Sequence, residues 1–503
     1  MKNIDQNFQP IQKLFDQEPA FIFIKELTTN FPKSEIYLVG GMVRDIILQR
    51  ESKDFDFVVR NVELDKLQQF LSQLGHVDLV GKVFGVLKFM PKEWTGEAID
   101  IALPRTEHAF LTGGYKDFDV RFDAQLPLAK DLERRDFTIN ALAWDVKNNK
   151  LIDHFNGLKD IEVKTIKTVG APAERLKEDY SRILRGLRFA CELTFTIEKL
   201  TWQTILDLMP NINDQKDNDE YIVPRETVAK ELIKAFVPNP VKAFELYEQS
   251  KAFDILIPEI IKMKGCIQPE NFHSEGDVWT HTKLSLEKLS SREFTEKFGQ
   301  EKPSAQLIFG LLFHDAGKPY TIKTPENDGV ERIQFYDHDN TGALLALQVC
   351  HRLKLSSLGG ELHIDCDHVS WLVKKHMLAM HAIVEEMKDT TIEKYFFNPR
   401  VPGDNLLKVI YADTLATIPK DGKMDISNFE KLEARIEKLK KLGKTKKELP
   451  KEILDGYEIM KKFNLQPSPK IGELKEALRE EQLAGRIKTK EEAWGSLEKF
   501  MKK

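Results

Sequence analysis

Strand-forming and helix-forming segments are unequally distributed along this chain of 503 residues, and that asymmetry constrains its fold more than any other feature. IYLV (36–39), FDFVV (55–59), VLKF (86–89) and AIDIAL (98–103) read as short strands rich in β-branched and aromatic residues, all within the first third. From about residue 173 onward the pattern is helical almost without interruption. Residues 174–191 set Leu176, Tyr180, Ile183, Leu187 and Ala190 three and four apart, the stripe of one amphipathic helix. The polar stretch NINDQKDND (211–219) reads as a loop, PSAQ (303–306) as a helix start, and 431–452 as a solvated helix and linker. The expected fold is α+β: a head with a mixed sheet and helices, then a long all-α remainder. A chain of this length exceeds one compact core, so roughly three to five structural units are expected.

Composition narrows the class. With 41% hydrophobic and 31% charged residues the chain is neither disordered nor membrane-embedded. The apolar run LIFGLLF (307–313) falls far short of the roughly 20 residues that span a bilayer. MKNIDQNFQP lacks the basic flank and apolar stretch of a signal peptide. Cys191, Cys266, Cys350 and Cys366 form no CxxC pair, which argues against a disulfide framework or a cysteine zinc site. A reducing, cytoplasmic setting is the expectation. The formal net charge of −5 argues against a protein that coats nucleic acid electrostatically, but the charge is uneven. Residues 431–503 hold 20 Lys and Arg against 13 Asp and Glu, a net of +7, which leaves −12 on residues 1–430.

Four segments of the first two hundred residues carry chemistry. In YLVGGMVRD (37–45) a strand meets Gly40-Gly41 and a helix start, so backbone N–H groups and Arg44 can approach a phosphate closely. Asp54 and Asp56 flank Phe55 on a strand and project together, an arrangement that repels unless a cation such as Mg²⁺ lies between them. Such ions can activate an attacking hydroxyl and stabilise leaving pyrophosphate, and Asp100 can supply a third carboxylate. RRDFTINAL (134–142) offers Arg134 and Arg135 to triphosphate charge, and Asp136 and Asn140 to a ribose hydroxyl; surface arginines beside a capping Asp are the alternative. EDYSRILRGLRFACEL (178–193) sets Glu178, Asp179, Arg182 and Arg185 on the polar side of the amphipathic helix. There the Glu178–Arg182 spacing reads either as an ordinary helix-stabilising pair or as paired acceptor and donor edges for a base.

Taken in order, GGMVRD, DFD, RRDFTINAL and EDYSRILRGLRFACEL closely resemble the class II tRNA nucleotidyltransferases, the CCA-adding enzymes and their bacterial poly(A) polymerase relatives. The resemblance is strong over roughly 33–265. It implies a polymerase-β-like nucleotidyltransferase head at 33–165, after an N-terminal extension at 1–32, and a helical neck and body at 166–268. It further implies that Gly41 and Arg44, with Gly40, contact the nucleotide triphosphate, and that Asp54 and Asp56 are the catalytic Mg²⁺ ligands. Arg135 and Asp136, with Asn140, would serve phosphate or ribose, while Asp179 and Arg182 read the edge of CTP or ATP and Arg185 touches the same nucleotide. The implied activity is untemplated addition of C, C and A to tRNA 3′ ends. Poly(A) polymerases carry a very similar helix, so that reading stays open, as does a partial enzyme adding only C or only A.

The middle of the chain holds a second constellation. EGDVWTHT (275–282), LLFHDAGKP (311–319), DHDNTG (337–342), KKHM (374–377) and YADTLA (411–416) can bring His and Asp to one cation. The order His281, His314-Asp315, Asp413 resembles the HD phosphohydrolase superfamily, with His338 and His376 where some members hold extra ligands. The resemblance implies an HD domain at 269–420, a second divalent metal (Mn, Ni, Fe or Mg) and phosphatase or 2′,3′-cyclic phosphodiesterase activity. His273, Glu275 and Lys318 are neighbours whose roles the sequence leaves open. A phosphohydrolase whose head only binds nucleotide is the alternative from another class. The helical tail at 421–503 presents Lys461, Lys462, Lys470, Arg486, Lys488 and Lys490, readable as a tRNA backbone path or as a solvated face. No membrane and no obligate protein partner are expected.

Overall fold

The computed structural model describes residues 5–80, 85–109, 112–114, 118–381, 384–442 and 449–501. The chain divides between Leu256 and Ile257 into two units, inside the span 166–268 expected to form neck and body. Part of the expected linker at 431–452, residues 443–448, lies outside the described residues.

The first unit carries the strands β1 (Glu35–Val39), β2 (Asp56–Arg60), β3 (Gly75–Val80), β4 (Val86–Pro91), β5 (Ile99–Ala102), β6 (Arg105–Ala109), β7 (Phe118–Phe122), β8 (Leu142–Asp145) and β9 (Lys150–Asp153). Seven of them form one sheet in the order β3-β4-β5-β2-β1-β8-β9, while β6 and β7 pair as a separate ribbon. Within the sheet β2 and β5 run parallel and every other neighbouring pair runs antiparallel, so the sheet is mixed as expected. Period-two alternation sends Phe57 and Val59 into a large aromatic core with Phe8, Phe15, Phe21, Phe23 and Phe89. Val58 faces the opposite side, with Tyr37, Val39, Leu128 and Leu132. Asp56 shares the parity of Val58. Its place on the sheet is therefore set by the hydrophobic residues that follow it.

β3, β6, β7, β8 and β9 are not among the expected strands. LAWD of β8 is buried on both faces over Leu142–Trp144, so it shows no alternation, and KLID of β9 is only four residues long.

The helices of the first unit that matter for the site are α1 (Gly41–Ile47), α2 (Pro172–Glu178), α3 (Ser181–Glu192) and α4 (Arg225–Phe236). The single amphipathic helix expected over 174–191 is broken between α2 and α3. Asp179 is extended, at φ −153° and ψ 104°. Its Oδ1 accepts the Ser181 N–H at 2.9 Å, while the Tyr180 N–H donates to the Gly113 carbonyl at 3.0 Å. A short carboxylate that captures a nearby backbone N–H competes with helix continuation, and the hydrophobic stripe alone does not register that competition.

The second unit contains α5 (Val278–Lys288), α6 (Ala305–Phe313), α7 (His338–Arg352), α8 (Cys366–Lys375) and α9 (Gly403–Ala416). Helix α6 is apolar on all sides and buried, and α5, α7, α8 and α9 pack against it. Ser304 caps it as expected, its Oγ accepting the Leu307 N–H at 3.2 Å. Further on, α10 (Ser427–Lys440) is followed by α11 (Gly456–Phe463), α12 (Pro469–Leu483) and α13 (Lys490–Met501). The last three share a small core that includes Ile459, Ile471, Leu474, Ile487 and Leu497. Among the described residues no helix is long and apolar enough to cross a membrane.

Candidate active sites

In the first unit one cavity of about 700 Å³ is lined by Gly40, Gly41, Arg44, Asp54, Asp56, Arg135, Asp136, Asn140, Asp179, Arg182 and Arg185, so the first-unit residues implied to bind nucleotide or metal meet there, Asp100 excepted. Gly40 precedes α1 at φ +76°, a left-handed conformation. A Cβ there would lie 2.8 Å from Arg135 Nη1, the movable end of a long side chain, and in ordinary contact with Asp56 Oδ2 at 3.6 Å, so it is the backbone angle that calls for glycine. Gly41 has no such constraint; only Arg44 Nη2 would approach its Cβ, at 3.6 Å.

Asp54 is exposed and lies just before β2, while Asp56 opens that strand and is half-buried. The ladder still reaches this lead-in, because the Asp100 N–H donates to the Phe55 carbonyl at 2.9 Å. Asp56 is the direct partner of Asp100 in the parallel β2–β5 register, so their carboxylates share a face. Asp100 does not line the cavity; it pairs with Lys88 Nζ at 3.1 Å. Burial first, then the Asp54 charge, push the Asp56 carboxyl up to about 7, against the pull of Arg135. Two crowded carboxylates short of positive charge are the donor set a hard divalent cation fits.

The arginine pair of RRDFTINAL divides its labour. Arg134 is committed internally: Nε and Nη2 donate to Asp131 Oδ1 at 3.0 and 2.9 Å, and Nη1 donates to Glu107 at 2.7 Å. Arg135 is held only loosely, 3.4 Å from the Asn140 carbonyl and 3.5 Å from Asp131, beside Gly40 and Asp56. Asp136 is buried, its Oδ2 accepting both Nε and Nη2 of Arg185 at 2.8 and 2.6 Å and its Oδ1 accepting Asn140 Nδ2 at 3.1 Å. Burial alone would raise its pKa, but the Arg185 charge and these hydrogen bonds hold that pKa well below the usual carboxylate range. Asn140 Oδ1 in turn accepts from Arg44 Nη1 at 2.7 Å. Asp136 and Asn140 thus form a buried brace between Arg44 on α1 and Arg185 on α3.

At the α2–α3 break, Arg182 Nη1 pairs with Glu178 at 2.6 Å, yet the two residues lie in different helices and Glu178 does not line the cavity. Asp179 and Arg182 do, with Asp179 Oδ2 4.0 Å from Arg182 Nε. Arg188, Phe189, Lys230 and Lys234 also line this cavity, although no motif marks them as site residues. Phe189 lies beneath three guanidinium groups, Arg188 at 3.9 Å, Arg44 at 5.1 Å and Arg185 at 5.4 Å from its ring centre. Lys230 and Lys234, four apart on α4, gave the only available signal, a shared helical face.

The second unit gathers His281 on α5, His314 and Asp315 after α6, His338 opening α7, His376 ending α8 and Asp413 on α9, all buried. His281 Nε2 lies 2.9 Å from Asp413 Oδ1 and 3.8 Å from Asp315 Oδ2, and His314 Nε2 lies 3.4 Å from Asp315 Oδ2 and 3.6 Å from Asp413 Oδ1. His338 and His376 approach the other oxygen, Asp315 Oδ1, at 3.7 and 3.6 Å. Asp315 Oδ2 also meets Lys318 Nζ at 2.7 Å.

Three of the imidazoles anchor Nδ1 on a backbone carbonyl one turn back: His314 on Leu311, His338 on Phe335 and His376 on Val373, at 2.7, 2.8 and 2.6 Å. An Nδ1–H that donates there leaves the Nε2 lone pair facing inward. The Nε2 atoms of His314, His338 and His376 are buried without a hydrogen-bond partner. Unpartnered, converging nitrogen lone pairs beside two carboxylates fit a divalent metal; these donors form the groups His281–His314–Asp413 and Asp315–His338–His376, and a third cluster, His273–Glu275–His281, adjoins them through His281. Burial pushes His338 down to about 4, so its ring is neutral near pH 7.

In the tail, Lys461, Lys462, Lys470, Arg486, Lys488 and Lys490 are all exposed. Arg486 pairs with Glu481 at 2.6 Å, and Lys490 pairs with Glu458.

Comparison with known proteins followed the same two regions. The profile of the poly A polymerase head domain matches residues 36–167, and that of the HD domain matches 280–414. The multifunctional CCA protein of Psychromonas ingrahamii is 32% identical over 364 residues, covering 71% of this chain and 78% of that protein. Its counterpart from Pasteurella multocida is 33% identical over 359 residues, covering 70% and 77%. The fold matches that of the Bacillus stearothermophilus CCA-adding enzyme in complex with CTP at a TM-score of 0.62, with 19% identity and 100% and 98% of the two chains covered. The Thermotoga maritima CCA-adding enzyme complexed with tRNA gives 0.58, with 20% identity and 97% and 98% covered. Those structures establish the shared fold, and the relatives establish descent. Identity near one third across more than three quarters of each relative means that this chain belongs to the family of multifunctional CCA proteins, class II CCA-adding enzymes with an HD domain.

Proposed function

We propose that this protein adds C, C and A to the 3′ ends of tRNA from CTP and ATP without a template, releasing pyrophosphate, and that its HD centre is a metal-dependent phosphohydrolase. The observation that supports the first activity is the single cavity in which paired carboxylates, a crowded glycine turn, loosely held Arg135 and the Asp179–Arg182 pair all meet.

Both carboxylates suit Mg²⁺, which when bound supplies charge neutralisation at the attacking and leaving oxygens. Asp54 and Asp56 would hold it. Arg135 and Arg44 orient the triphosphate, and Gly40 leaves room for its approach. Arg185, fixed by Asp136, shapes the wall against which the nucleotide rests.

Base selection follows from donor and acceptor geometry. Cytosine and adenine both present an exocyclic amine donor next to an unprotonated ring nitrogen, whereas uracil and guanine present the inverse. Asp179 Oδ2 accepts from the amine and Arg182 donates to the ring nitrogen, so one pair accepts both C and A and rejects U and G. In this reading the head is 33–165, the base-selecting neck and body 166–268, the HD domain 269–420 and the tail 421–503. The exposed tail lysines contact tRNA phosphates without reading sequence, as suits an enzyme that takes every tRNA. Incubating tRNA that lacks its 3′ end with CTP alone, ATP alone and both decides the matter. Two C residues followed by one A are expected, and long A tracts without CTP would instead indicate a poly(A) polymerase.

The raised Asp56 carboxyl makes the metal response depend on pH. Its folded value of about 7 lies above the ordinary 3.8, so protonated Asp56 stabilises the metal-free protein, and that contribution fades as pH rises from 3.8 to about 7. A metal ligand must shed its proton, so Mg²⁺ should raise the melting temperature more at about pH 8 than at about pH 6. Asp56→Asn should abolish this difference, and an equal rise at both values would refute it.

In the HD centre His281, His314, Asp315 and Asp413 would hold the principal divalent ion, with His338 and His376 completing a second group through Asp315. Mn²⁺, Ni²⁺, Fe²⁺ and Mg²⁺ all suit mixed His and Asp donors, and a bound ion supplies an activated water and charge neutralisation at phosphate. The unpartnered inward Nε2 atoms support this reading.

A further inference from the structure

Three of the four inward-facing imidazoles borrow a backbone carbonyl to fix their tautomer, but His281 does not. Its Nδ1 lies 2.8 Å from Glu275 Oε1, a carboxylate in the loop ahead of α5. The same oxygen lies 2.7 Å from Nδ1 of His273, whose ring stands edge-on to that of His281 at 5.1 Å. The second oxygen, Oε2, accepts the Ile418 N–H at 3.0 Å, just beyond the end of α9, which carries Asp413. Ser274 ties the same loop to the Ile418 carbonyl through its N–H at 2.8 Å and its Oγ at 2.9 Å. The Glu275 side chain is only 3% exposed, so these hydrogen bonds are made away from water.

We propose that Glu275 is the positioning residue of the HD centre. It holds the proton of His281 on Nδ1, aims Nε2 at Asp413 and His314, and links the helix of His281 to the end of the helix of Asp413. This rests on the metal-binding reading of the HD centre. A carboxylate behind a ligand imidazole raises its basicity and removes its rotational freedom, and loss of such a partner typically weakens metal binding by about 10–100-fold. Of the other three histidines, His314 and His376 are oriented by a carbonyl of the helix that leads into them, and His338 by the loop carbonyl of Phe335. His281 sits in the first two turns of α5, and its ring depends on a side chain that substitution can remove.

The test is a calorimetric titration of Mn²⁺ into the chelator-stripped full-length protein, with the Mn²⁺ paramagnetic resonance spectrum as a second readout. Wild type should bind. Glu275→Ala should weaken binding by about 10–100-fold and alter the spectrum, and Glu275→Gln, whose amide oxygen still accepts from His281, should recover most of the affinity. Glu275→Asp keeps the charge but withdraws the acceptor by one methylene, and should also bind more weakly; it serves if the alanine variant melts early without metal. Ser274→Ala removes a neighbouring tie and should bind as wild type. Unchanged affinity in Glu275→Ala and Glu275→Asp, or equal losses in Ser274→Ala and Glu275→Ala, would overturn the positioning role. Failure of the wild-type protein itself to bind Mn²⁺ would instead remove the metal reading and this role with it.

Discussion

Asp56→Ala should abolish nucleotide addition, lowering its rate by about 10³-fold or more, while the metal-free protein becomes more stable rather than less. The activity loss follows because a ligand to the catalytic ion contributes several kcal/mol to the transition state, and each 1.4 kcal/mol is tenfold in rate. The gain in stability follows from electrostatics. Asp56 is half-buried, is crowded by Asp54 and Asp100, and titrates near 7, so its ionised form is unfavourable in the folded chain. Removing that charge relieves the repulsion above about pH 7, where the wild-type group is ionised. Primer extension and a melting curve in chelator at about pH 8 measure the two effects. Asp54→Ala should lose addition as well, with a smaller gain in stability, because it relieves the repulsion on Asp56 but not the burial of that carboxyl. Addition that survives either substitution would refute the assignment of the carboxylate pair.

His314→Ala should eliminate phosphodiester hydrolysis and leave CCA addition close to wild type. His314 offers a buried, unpartnered Nε2 to the centre and lies in a unit separate from the nucleotide cavity. Its loss takes one nitrogen from the group His281–His314–Asp413. Hydrolysis of a 2′,3′-cyclic nucleotide with added Mn²⁺ or Ni²⁺, and CCA addition to truncated tRNA, are the paired assays. If both activities fail together, the HD unit supports the head structurally, and a separate catalytic centre is not needed to explain it.

Much of the candidate machinery is legible in one dimension because its chemistry is local. DFD is readable because a strand turns every second side chain to one face, and the core positions Phe55 and Phe57 are buried as alternation requires. The order His281, His314-Asp315, Asp413 is readable because each residue sits at or near a helix end or on an inward helical face. Other features are not legible. The α2–α3 break at Asp179 turns on one side-chain hydrogen bond to Ser181 and one backbone bond to Gly113, partners that a hydrophobic stripe cannot reveal. Nothing in the dipeptide Arg134-Arg135 says which guanidinium is bound to Asp131 and Glu107 and which is left beside Gly40.

The division into an α/β head and a helical remainder, the residue types of both centres and their order along the chain are all written in one dimension. Those properties depend on periodicity and on short-range spacing, which the backbone imposes on any chain. Folding in three dimensions sets which groups stay available and which are consumed. It drew Asp136 and Asn140 into a brace between Arg44 and Arg185, set Asp56 beside Asp100 through a parallel register, and gave His281 a carboxylate anchor where the other histidines use nearby backbone carbonyls. Each of those outcomes joins residues distant in sequence. Hydrogen bonds and charges act through a few ångströms of space, and packing alone determines what lies within that distance.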